Sequence, residues 1–430
     1  MTAKTDAADP ALARIVDQVQ TARAQHGRLN ITGGSTKAFY GGPVDSEAAV
    51  LDMRALAGIS SYEPSELVVT VRAGTPLAEL EAALAEQGQC LPFEPPRFAA
   101  SGTNEAKVPQ AGPNNETARA GGWNAAAALQ HGTNSAAAAQ GGTSAATAPQ
   151  GGTNTATAPQ GGTVGGMVCA GLAGPARAAV GGVRDYVLGV SLLNGKAELL
   201  HFGGTVMKNV AGYDVSRLLV GSLGMLGALC EVSLKVLPVA TATRTLRLEM
   251  DQATAIQRLN EWGGQPLPLN ASAWWEGLLV VRLSGAAAAV RAGHDRLGGE
   301  VIEEPLASQF WTGVRDQRDE FFVGAQRAVE GGAGLWRLSL PQVAPPLALP
   351  GEQLVEWGGA QRWLCTPLPA AKVREAAAAV GGHATLFRSK DKSAGVFAPL
   401  AAPLDRIHRE LKAAFDPDGI FNRGRLVPGL

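Results

Sequence analysis

Two glycine-rich segments contain the residue types in this sequence that could bind a charged cofactor. The first, Gly33–Lys37, directly follows a predicted strand at Leu29–Thr32 and offers two hydroxyl groups and one cation. The second, Gly161–Met167, opens a stretch that stays rich in glycine as far as Pro238. A glycine inside a helix or strand costs roughly 0.5–1 kcal/mol relative to Ala, so this density favours loops whose free N–H groups bind anions. The alternative is that these glycines serve only as turns.

Other known phosphate-binding motifs are absent from the sequence. No G-x-x-x-x-G-K-[ST] occurs, which excludes a P-loop, and no G-x-G-x-x-G opens a βαβ unit, which excludes a Rossmann site. Two separated glycine loops are what a long dinucleotide would need. The sequence therefore predicts a dinucleotide site in a different fold.

Longer motifs surround both loops and cover nearly the whole chain except residues 101–160. The most specific is the run Phe202–Asp214, FGGTVMKNVAGYD. The others are Ser35–Phe39, Tyr62–Val69, Val71–Leu77, Leu91–Pro96, Gly165–Val168, Leu349–Leu354, Gly381–Thr385 and Gly419–Asn422. In these segments the chain resembles flavoproteins of the vanillyl-alcohol-oxidase type, which share a PCMH-type FAD-binding domain. Within them it is most similar to the FAD-binding subunits of glycolate oxidase.

This resemblance implies an α+β fold. A two-part PCMH-type FAD-binding domain would comprise residues 1–100 and 161–240, and an antiparallel-sheet cap domain would comprise residues 241–400. Residues 401–430 would form a C-terminal helix and a tail that return to the flavin.

The resemblance also implies which residues contact FAD. The backbone of the first loop would hold the pyrophosphate through Gly33, Gly34, Ser35, Thr36 and Lys37. The second wall would consist of Thr163, Val164, Gly165, Gly166 and Met167, and further contacts would come from Arg184, Asp185, Gly221, Gly224, Gly227 and Asn422. Covalently flavinylated relatives carry a His in the first loop. No His stands there in this chain, so we expect non-covalent FAD.

Candidates for catalysis are weaker. Relatives that oxidise 2-hydroxy acids use clustered His and carboxylate residues, often with a divalent metal. The six His residues here lie far apart, so we expect no metal site. His383, Lys208 and Arg423 are the remaining candidates, although a lone His is more often structural. Lys208 could equally orient a phosphate, the substrate or a partner, or be a solvated cation.

Residues 101–160 differ in composition from the rest. A Gly-Gly-Thr-Asn motif recurs every ten residues and runs in register into Gly161. The spacers are mostly Ala, Thr, Pro and Gln, which cannot bury enough apolar surface to offset the entropy lost on ordering. We predict a disordered low-complexity insertion; a small solenoid is the alternative.

Composition narrows the class of protein. The 37 basic and 38 acidic residues nearly cancel, so no strong field favours nucleic acid. Met1–Pro10 lacks the apolar segment of a signal peptide, and no apolar run reaches the roughly 20 residues of a membrane span. The four Cys residues are widely spaced, which favours buried thiols over iron–sulfur or zinc ligands. We expect a cytoplasmic protein, peripheral at the inner membrane at most.

Apolar periodicity predicts the elements that would position these loops. Helices are expected at 11–26, 76–88, 252–262, 286–297, 370–380 and 404–415. Strands are expected at 67–71, 228–237, 246–250, 278–283, 362–365 and 385–388. Asn194-Gly195 predicts a hairpin between 187–193 and 196–202. The strand–helix pairs after residue 245 favour an antiparallel sheet covered on one face.

The sequence is compatible with two functions. In the first, the chain is a redox subunit whose FAD oxidises glycolate, with a paralogous flavin subunit and an iron–sulfur subunit as partners implied by the resemblance. In the second, it binds FAD or supports assembly while the paralogous subunit performs the oxidation. The intact glycine loops favour FAD binding in both cases.

Overall fold

A computed structural model describes residues 9–99, 161–205 and 213–430. The predicted insertion at 101–160 and the candidate Lys208 lie outside these residues. The helices of the described part are α1 (Pro10–Ala24), α2 (Leu77–Glu86), α3 (Val164–Ala170), α4 (Arg177–Val180), α5 (Val183–Tyr186), α6 (Val215–Leu218), α7 (Gln252–Gly263), α8 (Ala287–Leu297), α9 (Leu306–Asp316), α10 (Glu320–Glu330), α11 (Ala370–Ala379) and α12 (Ala402–Phe415). The strands are β1 (Leu29–Thr32), β2 (Ala49–Asp52), β3 (Ile59–Glu63), β4 (Val68–Arg72), β5 (Gln89–Cys90), β6 (Val187–Leu193), β7 (Leu199–Gly203), β8 (Ala228–Lys235), β9 (Leu237–Pro238), β10 (Ala242–Glu249), β11 (Leu269–Trp275), β12 (Leu278–Gly285), β13 (Glu300–Ile302), β14 (Gly334–Ser339), β15 (Glu352–Glu356), β16 (Gln361–Thr366) and β17 (His383–Arg388).

A five-stranded antiparallel sheet takes strands from both sides of residues 101–160, in the order β3-β4-β8-β6-β7. The predicted β6–β7 hairpin is confirmed, although its loop is longer than a two-residue turn because Leu193 pairs with Leu199. In the central strand β8, Val232 and Leu234 alternate with Glu231, Ser233 and Lys235, a pattern that predicts one buried and one exposed face. Val232 and Leu234 are fully buried. Ser233 was expected to face solvent, but it is buried and its hydroxyl lies 2.9 Å from that of Thr70. Residues of this strand pack into two different cores, one on each face, so alternation alone overstates its exposure.

A short parallel pair, β1–β2, leads directly into the first glycine loop. The C-terminal segment secures this pair, because Leu29 donates its N–H to the carbonyl of Ile420 and forms a bridge with Phe421. Both Leu29 and Phe421 are buried in a small core with α1. The loop therefore begins on a fixed strand end.

An eight-stranded antiparallel sheet follows, in the order β13-β10-β12-β11-β15-β16-β14-β17. The expectation that helices cover one face is wrong. Helices α7, α8 and α11 pack on one face, whereas α9 and α10 pack on the other. Within β12, Val281 belongs to the first core and Val280 to the second, as the alternation of a strand requires.

The second face of this sheet contacts the part of the chain that carries the two glycine loops. Its apolar core combines Phe310 and Trp363 with Tyr40, Phe98 and Leu172 from the region around the two glycine loops. We call this boundary the seam. The apolar residues of α9 are buried against the sheet, so the missed helices are required to fill the seam.

The C-terminal helix α12 is held by a buried ion pair. The Nζ of Lys412 donates to Asp416 Oδ2 at 2.6 Å and to the carbonyls of Met225 and Phe421 at 2.7 and 2.9 Å. Asp416 also accepts the N–H groups of Ile420 and Phe421. All three donors of the ammonium are satisfied, and the pair fixes the segment that reaches β1.

Candidate cofactor site

The two predicted loops meet at one cavity of about 260 Å³. Its walls are the first loop, the start of α3, the turn at Leu223-Gly224, and Asn422 and Arg425 from the C-terminal segment. Segments that are far apart in sequence therefore converge on a single space, which we call the loop cavity.

Close approach of the two loops requires glycine. A Cβ on Gly33 would lie 2.3 Å from the Oγ1 of Thr163, and one on Gly162 would lie 2.6 Å from the Oγ1 of Thr36. A Cβ on Gly165 would lie 2.8 Å from that of Ala73. Because Gly162 also has a φ of +87°, a side chain there would be strained as well as crowded. The glycines keep the walls of the cavity close together and free of side chains.

The first loop presents backbone donors. Within the part of the chain that the structure describes, the N–H groups of Gly34, Ser35 and Thr36 have no hydrogen bond to a protein acceptor. Ser35 has a φ of +53°, in the left-handed region. Successive free N–H groups in such a turn form a concavity that binds anions. By contrast, Gly165 donates to the carbonyl of Ala73, and Gly166 donates to Thr163 Oγ1.

The donor set and the shape fit the diphosphate of a dinucleotide. The loop cavity is lined by the N–H groups that have no protein acceptor, by the Thr36 hydroxyl and by the Lys37 ammonium. No carboxylate is among its lining residues. Since an anion needs such donors and no competing negative charge, these residues would hold the phosphates of FAD. The surrounding wall residues Ile31, Met53 and Leu229 are apolar and suit the uncharged parts of a cofactor.

The predicted cofactor residues divide into two groups by position. Those that line the loop cavity are Gly33, Gly34, Ser35, Thr36, Lys37, Thr163, Gly165, Gly166, Gly224 and Asn422. Those outside its lining are Val164, Met167, Arg184, Asp185, Gly221 and Gly227. Cofactor contact by each of these residues stays a prediction.

Residues outside the lining have clear structural contacts. Val164 and Met167 are buried in the core of the five-stranded sheet. The guanidinium of Arg184 lies 3.4 Å from the carbonyl of Val220, and Asp185 accepts the N–H of Gly182 at 2.8 Å. The glycines have backbone roles: Gly221 packs on Gly171, and a Cβ on Gly227 would lie 2.6 Å from the carbonyl of Leu193.

Asn422 ties three segments together at the cavity. Its Oδ1 accepts the N–H of Ile31 at 2.8 Å, and its Nδ2 donates to the carbonyl of Leu223 at 2.7 Å. Asn422 also has a φ of +41°, which Asn tolerates better than most residues. The side chain therefore fixes the cavity wall with both of its polar atoms.

None of the described catalytic candidates lines the loop cavity. His383, at the first position of β17, is largely exposed, and its pKa is lowered because part of its ring is desolvated and because the charge of Arg337 lies nearby. The guanidinium of Arg423 donates to the backbone carbonyls of Gly419 and Asp418. These two residues are not brought together with the glycine loops.

Sequence analysis missed an acidic group at the seam. Glu356, at the end of β15, is almost fully buried, and its Oε2 accepts hydrogen bonds from Trp363 Nε1 at 2.6 Å and Gln361 Nε2 at 3.0 Å. Burial raises its pKa to about 7, so this carboxyl can hold or release a proton near neutral pH. No local motif marks Glu356, because its environment comes from strand pairing and from the domain opposite.

Phe98 is near both Glu356 and the loop cavity. Glu356 and Phe98 line the same small space at the seam, and the ammonium of Lys37 lies 5.8 Å from the centroid of the Phe98 ring. Arg337 lines the same space at the seam as Glu356.

The described residues contain neither a metal-binding cluster nor a membrane-spanning helix. No group of three or more His, Cys, Asp or Glu residues in these ranges is arranged to hold a metal ion. Among the described helices, none combines the length and the apolar character that crossing a membrane would require.

Comparison with known proteins agrees with this geometry. A family model described as an FAD binding domain matches residues 12–103. Glycolate oxidase subunit GlcE of Escherichia coli (strain K12) is 40% identical over 416 residues, which cover 97% of each chain. Glycolate oxidase subunit GlcD of Bacillus subtilis (strain 168) is 37% identical over 83 residues, or 19% of this chain and 18% of its own.

A solved structure shows the same fold. An alkyldihydroxyacetonephosphate synthase aligns with a TM-score of 0.55 and 14% identity, covering 97% of this chain and 75% of its own. At this identity the likeness concerns the fold alone. The predicted α+β fold and FAD-binding domain are confirmed, and on the similarity to the Escherichia coli subunit the chain belongs to the GlcE family of glycolate oxidase subunits.

Proposed function

We propose that this chain is the FAD-binding subunit of a complex that oxidises glycolate, a 2-hydroxy acid, to glyoxylate. The observation that carries the proposal is the loop cavity, where free N–H groups and a lysine converge in a chain that is 40% identical to a glycolate oxidase subunit. Bound FAD would supply the acceptor for the hydride that leaves carbon 2 of the hydroxy acid. The link to FAD is non-covalent, since Ser35, Thr36 and Lys37 occupy the loop where flavinylated relatives carry a His.

The residues of the chain would act by positioning. Gly34, Ser35 and Thr36 would donate N–H groups to the diphosphate, and Asn422 would keep the cavity wall in place. Helices α9 and α10 would exclude water from the seam, because their apolar residues are buried there. Glu356 could hold a proton at neutral pH close to this region.

The alternative is a non-catalytic FAD-binding or assembly subunit. The positions of His383 and Arg423 favour it, since neither lines the loop cavity. Removal of a hydride from a 2-hydroxy acid needs a base for the hydroxyl proton and a cation for the carboxylate. A paralogous flavin subunit would then perform most of the oxidation.

The partners follow from the same proposal. The two relatives are glycolate oxidase subunits GlcE and GlcD. We propose that a paralogous flavin subunit and an iron–sulfur subunit complete the complex, that no nucleic acid takes part, and that the complex is cytoplasmic or peripheral at the inner membrane.

Flavin release tests the cofactor claim. The purified chain is expected to be yellow, and acid precipitation should leave the flavin in the supernatant. Flavin fluorescence that remains with the precipitated polypeptide would contradict the non-covalent link. A colourless chain that does not bind added FAD would contradict the whole proposal.

Dye reduction with glycolate separates the two functions. The chain alone is expected to reduce dye slowly, and the complex reconstituted from the three proposed subunits should do so rapidly. The decisive variant replaces Gly165 and Gly166 with Val, which fills the wall of the loop cavity. Loss of activity with assembly intact, checked by gel filtration, would place this flavin on the electron path. Full activity of that variant complex without its flavin would establish the assembly role instead.

A further inference from the structure

The amine of Lys37 lies between the two glycine loops. It lines the loop cavity, and a Cβ on Gly162 in the second loop would be 3.4 Å from its Nζ. On its other side, the ammonium lies 5.8 Å from the centre of the Phe98 ring. A ligand that contacts both loops must therefore pass beside this amine.

Lys37 has few partners of its own. An ammonium carries three donors, yet among the described residues its one hydrogen bond is to Thr36 Oγ1, at 3.4 Å. Two carboxylates act on it through space, Glu81 and Asp316. Each is already paired with arginine: Glu81 with Arg97 at 2.5 Å, and Asp316 with Arg315 and Arg318, both at 2.8 Å.

Other ionisable groups around the cavity do not compensate this amine. Arg425 lines the cavity, but its guanidinium donates to the carbonyls of Ala38, Tyr40 and Gly42. Arg388 stacks on the far rings, 3.6 Å from the centre of Phe39. The thiol of Cys169 also faces the cavity, and because burial raises its pKa to about 12 it remains neutral.

We propose that the side chain of Lys37 contacts the diphosphate of the bound dinucleotide, and that at alkaline pH binding of the dinucleotide is coupled to uptake of one proton by this amine. The inference rests on the proposed function, in that FAD occupies the loop cavity. It goes further because the diphosphate contacts the side chain of Lys37 as well as the backbone of the loop, and because the affinity for FAD then depends on pH.

The direction of the coupling follows from burial. Without an anion beside it, Lys37 has its pKa lowered to about 8, chiefly because burial disfavours the charged form. A diphosphate within contact distance favours the charged form and raises this pKa again. FAD affinity is therefore constant below about pH 8, where the amine is already charged, and falls by up to about tenfold per pH unit above it.

Titration calorimetry, with FAD added to the chain after its bound flavin has been removed, tests the proposal at pH 7 and at pH 9 in two buffers of different ionisation enthalpy. On binding FAD, the wild-type chain should take up almost no protons at pH 7 and nearly one proton per FAD at pH 9. Lys37→Met should bind FAD about tenfold more weakly at pH 7, with no uptake at either pH. Lys37→Arg should retain binding and also show no uptake, since arginine stays charged.

A matched control is Lys392→Met. Lys392 also has its pKa lowered to about 8, but its amine donates to the carbonyls of Phe39 and Gly41 outside the loop cavity. This variant should keep the proton uptake of the wild type. Equal uptake by the wild type and Lys37→Arg at pH 9 would overturn the inference and leave FAD binding intact. A wild-type chain that fails to bind FAD at pH 7 would overturn the proposed function, and the inference with it.

Discussion

Replacing Lys412 by Met should destabilise the chain more than any exposed lysine substitution. The side chains of Lys412 and Asp416 are 7% and 0% exposed. Met has a similar length but no charge, so the variant leaves the Asp416 carboxylate buried without its cation. The carbonyls of Met225 and Phe421 lose their donor at the same time.

The size of the effect follows from these contacts. Breaking a buried ion pair from one side costs about 3–5 kcal/mol, because the remaining charge is uncompensated. Burial already lowers the pKa of Lys412, so part of the pair's attraction is offset in the wild type. We therefore expect a loss of about 3 kcal/mol in the free energy of unfolding, together with weaker FAD binding because Asn422 loses its support.

Urea unfolding followed by tryptophan fluorescence measures this loss. The matched control is Lys372→Met on α11, whose partner Glu375 lies 3.5 Å away with both side chains about 70% exposed (68% and 72%). Such surface pairs contribute about 0–1 kcal/mol. A loss below about 1 kcal/mol for Lys412→Met, equal to that of the control, would refute the view that this pair anchors the C-terminal segment.

Two further predictions concern the insertion and the seam. Deleting residues 104–157 should leave the melting temperature and FAD affinity nearly unchanged, because the described residues on either side of the deleted segment lie close together: a Cβ on Gly161 would lie 3.3 Å from that of Arg97, so a short loop can join them. A large fall in melting temperature would contradict this prediction. Burial raises the pKa of the Glu356 carboxyl from 4.5 to about 7, so the wild type loses stability as pH rises through this range. Glu356→Gln has no such proton to lose, and it should gain up to about 3 kcal/mol relative to the wild type between pH 4.5 and pH 7. Parallel stability–pH curves from thermal unfolding of the two proteins would disprove the second.

Local sequence patterns predicted the elements that depend on contacts between residues close together in the sequence. The β6–β7 hairpin followed from Asn194-Gly195, whose Asn side chain accepts the N–H groups of Lys196 and Glu198. Helix α12 followed from apolar spacing. The sequence analysis predicts no helix at α9 or α10, although Phe310, Trp311 and Val314 have the spacing of one helix face.

The candidate site was predictable only in part for a similar reason. Motifs identified the two loops, and the structure brings both to one cavity. Motifs could not separate Gly165, which lines that cavity, from Val164, which points into the core one residue away. Glu356 has no sequence signal at all, because its burial and its partners arise from the pairing of β15 and β16 and from the seam.

The position of Asn422 has a consequence for biosynthesis. Its amide joins Ile31 near the start of the chain to Leu223 in the middle. During translation, both of those walls leave the ribosome long before residue 422 does, so the cavity cannot close until this residue has emerged. A chain truncated before Asn422 would offer FAD only an incomplete cavity. Cofactor loading should thus begin only after residue 422 has left the ribosome, and chains terminated before it should bind FAD poorly.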